Sequence, residues 1–165
     1  MLSQEELIKK VNELKEKVID LSADEDLAVG VMNLISMEEH LYFTAQKTEK
    51  SEYYELLNQV REIRKKMMEK LIGKPEGEVW CFTKHTLSAT MRLIEVGTKL
   101  YSQNKKEEAK QVFDLAYTLF NLFWALKLKL VNLEDLKTEK EIPTQDKEKF
   151  SLKNLIDKLI DCCKE

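Results

Sequence analysis

The stretch DLAVGVMNLISMEEHLYFTAQ, residues 26–46, reads as one helix and sets the class of the fold. Wound at about 100° per residue, it gathers Leu34, Ile35, Leu41, Tyr42 and Ala45 on one face. Glu38 falls on that same face. A charge on a core-facing stripe must be paired, bound to something or neutralised, because burying it bare costs several kcal/mol.

Downstream, the polar run 47–51 predicts a tight connection, with Ser51 capping a third helix that ends near residue 72. Its stripe is Tyr53, Leu56, Leu57, Val60, Met67, Met68 and Leu71, and Arg64 interrupts it as Glu38 interrupts the helix before. GKPEG, residues 73–77, is the clearest break in the chain. A fourth helix over about 78–101 has an apolar arc wider than half its circumference, including Trp80, Leu87, Met91 and Ile94, so it is expected to be buried on two sides. The turn 102–105 leads to a fifth helix over about 106–131. Between residues 112 and 126 it is apolar nearly all round, which predicts the central helix of the fold.

Upstream, Ser3 and Glu6 form a capping-box pattern. Leu7, Val11, Leu14, Val18 and Leu21 then follow at 4-3-4-3 spacing, a narrow seam. The preferred reading is a first helix lying on the bundle, with homodimerisation through the seam as the other expectation. Ser22 or Asp24 is placed to cap the second helix. At the far end, the charged tract around Pro143 reads as a linker, and Ser151 starts a last amphipathic helix with Leu152, Leu155, Ile156, Leu159, Ile160 and Cys163 on one side. The expected organisation is a helical bundle over 1–134, a charged linker over 135–149 and the C-terminal helix over 150–165. The fold class is all-α: an antiparallel bundle of four core helices with an N-terminal amphipathic helix and a tethered C-terminal one.

Composition agrees with that class. The chain has 165 residues, 43% hydrophobic and 35% charged, with only 4 Gly and 2 Pro, and sheets need more turn-formers than this. Net charge is −3 with no long basic tract, so no nucleic-acid footprint is visible, and Arg61 to Lys66 reads as a solvated helix face. The run 112–126 is too short to span a bilayer and contains Asp114 and Asn121. No signal or transit peptide is legible, and a cytoplasmic location is the expectation. Cys81, Cys162 and Cys163 are three in number, which does not make a disulfide framework.

The hairpin over 97–116 resembles one tetratricopeptide repeat in having Gly97, Leu100, Ala109, Phe113 and Ala116 at that pattern's offsets. The likeness covers under a fifth of the chain and has no second copy in register, where a solenoid needs about three units. No repeat family is assigned. The same small and aromatic residues mark close packing in any helical hairpin.

Chemistry is sought where polar residues share a buried helix with apolar ones. The second helix offers Glu38, and Asn33, Ser36, His40 and Thr44 along one edge; the third offers Arg64. The fourth carries Cys81, His85, Ser88, Arg92 and Glu95, and the fifth Asp114, Thr118 and Asn121. An interior polar cluster of Glu38, Arg64, His85, Arg92 and Asp114 is therefore expected. The favoured reading pairs Glu38 with Arg64 and Asp114 with Arg92 as buried ion pairs that set helix register. A second has Arg64 and Arg92 clamping a small anion beside His85. A third has Cys81 and His85, four apart on one helix, as metal ligands; no Glu-x-x-His or Cys-x-x-Cys supports it. No Gly-rich phosphate loop, GxSxG or His-Glu-x-x-His is present, no catalytic residue is nominated and no cofactor is expected. The expected function is a non-enzymatic interaction or oligomerisation module with a homo-oligomeric or other protein partner. The alternative is a bundle that binds a small anion or a metal.

Overall fold

A computed structural model describes residues 4–16, 21–74 and 77–131. Ser3, the charged linker and the C-terminal amphipathic segment lie outside the described residues. Those described form five helices and no strand: α1 (Gln4–Glu16), α2 (Ser22–Thr48), α3 (Glu52–Ile72), α4 (Gly77–Ser102) and α5 (Lys106–Lys127). None of them is long and apolar enough to cross a membrane.

Two short connections decide the topology. Three residues join α2 to α3 and three join α4 to α5, so each pair must fold back on itself as a helical hairpin. Most helix contact lies within these hairpins, and α2 meets α4 between them. The turns show why they stop where they do. Glu49, in the left-handed region at φ 57°, ends α2 and donates its N–H to Ala45 O. Asn104 takes φ 62° in the second turn, a conformation that asparagine tolerates. Gly73, at φ 86°, ends α3 where the GKPEG break begins. The expected side-chain caps are corrected: Ser51 makes no cap hydrogen bond, and α2 is preceded by Leu21, whose side chain goes into the core instead.

The hairpins converge at one end. Lys127 Nζ, near the C-terminus of α5, donates to Leu71 O near the C-terminus of α3 at 2.7 Å, and pairs with Asp24 in the first turn of α2 at 2.9 Å. Both inter-helix turns therefore sit at the opposite end. The core fills the convergent end with Ala28, Val31, Met32, Met68, Leu71, Leu87, Phe123 and Trp124. Helix α1 closes it: Leu7 and Val11 are buried in that core, Leu14 packs against it, and Lys10 Nζ donates to Lys129 O at 2.6 Å just beyond α5. A cation at those last carbonyls suits a helix C-terminus. Leu7, Val11 and Leu21 of the N-terminal seam are thus buried within the chain.

Within the second hairpin, close approach is set by Gly97, which is buried. A Cβ there would lie 2.5 Å from the Phe113 ring. Helix α5 is not enclosed along its whole length, as its composition predicts. Residues 123–126 are all buried at the convergent end, but Leu115 is 58% exposed toward the other.

Candidate functional site

Successive residues of a helix point about 100° apart, so adjacent glutamates on α2 reach different neighbours. Glu38 turns toward α3. Its carboxylate accepts from Arg64 Nε at 2.5 Å and Nη2 at 3.4 Å, and from Arg61 Nε at 3.1 Å. Arg64 and Arg61 lie three apart on α3, one turn, and so share a face. The Arg64 side chain is 6% exposed and that of Glu38 13%. The remaining Arg64 donor, Nη1, faces Met68 Sδ at 3.6 Å, a weak acceptor. Burial pushes the Glu38 carboxyl up; the hydrogen bonds and charges of Arg64 and Arg61 outweigh it and hold the carboxyl below the usual glutamate range. It stands ionised and fully engaged at neutral pH, the reverse of what a general acid needs.

Glu39 turns toward α4, where its carboxylate accepts from Arg92 Nη2. Arg92 Nη1 donates to Glu95, one turn along α4, at 2.5 Å. This bridge is open to solvent, with the Arg92 side chain 50% exposed. It borders a groove of about 480 Å³ between α2 and α4, lined also by Ser36, His40, Phe43, Thr44 and Lys47.

The expected interior cluster is therefore corrected to separate charge groups, of which that of Glu38 is interior. Glu38 and Arg64 are joined. Arg92 is instead bridged to Glu39 and Glu95. Asp114 lies on the exposed side of α5, its side chain 57% exposed, 2.8 Å from Lys110 one turn earlier. His85 and Cys81 are both exposed on α4, and no group of three ligating His, Cys, Asp or Glu side chains occurs among the described residues. The buried polar side of α4 is instead Thr83, Thr86 and Thr90. Thr86 and Thr90 satisfy their hydroxyls on their own helix, at Phe82 O and Thr86 O. On α5, Asn121 is buried, and neither its amide nor Trp124 Nε1 has a hydrogen-bond partner among the described residues.

Three participants escaped the sequence reading. Arg61 is half-exposed, as a solvated face implies, yet its side chain reaches Glu38, and its one-turn offset from Arg64 is the available signal. Glu39 was overshadowed by its neighbour. The threonines, at 3-4 spacing on α4, carry the helical period as clearly as the apolar residues do. Comparison with protein families, with curated proteins and with solved structures finds no match for this chain.

Proposed function

We propose that the chain is a non-enzymatic protein-interaction or oligomerisation module built on an antiparallel bundle of four core helices. The observation that carries this reading is the apolar surface at the turn end of the hairpins. Tyr42 and Phe43 on α2, Tyr54 and Leu56 on α3, and Val96 and Tyr101 on α4 are all exposed there. Scattered apolar residues are ordinary on a protein surface; large aromatics drawn toward one end are the composition of a contact patch. Tyr42 and Phe43 already pack edge to face, 5.3 Å between ring centres, which presents them side by side.

Sedimentation equilibrium of the full chain over a wide concentration range tests the self-association form of the proposal. The expected result is a mass that rises above that of one chain and returns to it in the variant Phe43→Asp with Tyr101→Asp. A single-chain mass at every concentration contradicts it.

A second reading, binding of a small anion, has the α2–α4 groove behind it, where Lys47 and His40 stand near Arg92. Arg92 already donates to both Glu39 and Glu95, so the interaction reading is preferred. Isothermal titration with inorganic phosphate separates the two: heat that disappears in Lys47→Ala favours the groove.

A further inference from the structure

We propose that residues 151–163 fold back as an amphipathic helix onto the uncovered apolar stripe of α5, within the same chain. Val112, Leu115, Leu119 and Leu122 fall within an arc of about 80° on α5. Leu115 is exposed and the other three are partly so. A helix that is apolar nearly all round is a buried helix, and this one is buried on every side only over residues 123–126. The stripe needs a cover that the described residues do not supply.

Length and pattern point to the segment that follows α5. Leu152, Leu155, Ile156, Leu159, Ile160 and Cys163 make a single apolar face. That face is about 17 Å long from Leu152 to Cys163, against about 15 Å from Val112 to Leu122. A helix this short is marginal in water on its own and gains stability by docking its apolar side. The middle of the α5 stripe lies about 20 Å back along the helix from Val131. The tract 132–150, fully extended, reaches roughly 60 Å, so it spans the return with slack. The tether also holds the segment at an effective concentration near millimolar, which favours it over a second copy of the chain at ordinary protein concentrations.

The test uses the full chain with Cys81→Ser, leaving Cys162 and Cys163 as the only native thiols. Thr118→Cys or Gln111→Cys, each at an exposed position beside the stripe, adds a third, and a short bismaleimide links thiols within reach. The expected product is a link within one chain from residue 118 or 111 to residue 162 or 163. Leu155→Asp with Leu159→Asp slows its formation at least about tenfold. Links only between chains, or none at either position with helicity intact by circular dichroism, overturn the proposal. The link is read on single chains, so it succeeds or fails separately from the self-association measurement.

Discussion

Glu38 and Glu39 are chemically identical neighbours that meet opposite surroundings. Glu38 is taken between α2 and α3, nearly dry, and shared by two arginines. Glu39 reaches across to α4 and makes its pair in solvent. The first sits inside a hairpin, where a three-residue turn forces the helices together; the second spans two hairpins that touch more lightly. Burial decides what each pair is worth. An exposed pair is screened and contributes little, whereas a buried pair, once formed, cannot lose one member without stranding the other.

The largest expected effect is on the buried side. Arg64→Leu leaves Glu38 with Arg61 alone and costs about 3 kcal/mol of stability in chemical denaturation. Arg92→Leu, on the exposed bridge, costs about 0.5 kcal/mol. Removing both buried charges at once, Glu38→Leu with Arg64→Met, costs less than either single change, because the only charge that loses its partner is Arg61, which is half-exposed, and the buried space is filled with apolar atoms. If the double variant is as unstable as Arg64→Leu, the pair does more than neutralise itself.

Acid sharpens the contrast. The Glu38 carboxyl is held below its ordinary value in the folded chain. Its contribution is therefore present above the unfolded glutamate pKa of about 4.3, and is lost as pH falls through the lower folded value. The stability gap between the native chain and Glu38→Gln holds from pH 6 down to near the unfolded pKa of about 4.3 and narrows below it, followed by thermal melting at each pH down to about 3. A gap that widens on acidification reverses the sign and excludes an ionised, paired Glu38. The smallest effect is that of salt. At about 1 M sodium chloride the screening length is about 3 Å, so the cost of Arg92→Leu disappears while that of Arg64→Leu persists.

The reach of sequence reading follows the same division. The helices were legible because apolar residues recur at helical spacing and Gly73 and the turn before Lys106 interrupt them. Glu38 and Arg64 were legible because each stands in the middle of a stripe, where only the core can lie. Arg92, His85 and Asp114 stand at the margins of wide apolar arcs. A margin becomes inside or outside according to how far two hairpins separate, and no single helix encodes that. The same separation explains Leu115: α5 is apolar enough to be central, yet the described helices enclose it only where they converge.

Glu38 is engaged by two arginines rather than left open to a ligand. The most direct measurement is a pair of double-mutant cycles by equilibrium denaturation, Glu38 with Arg64 and Glu39 with Arg92. The prediction is a coupling of about 2 kcal/mol or more for the first pair and under about 1 kcal/mol for the second. Equal couplings, or a Glu38–Arg64 coupling near zero, would contradict it.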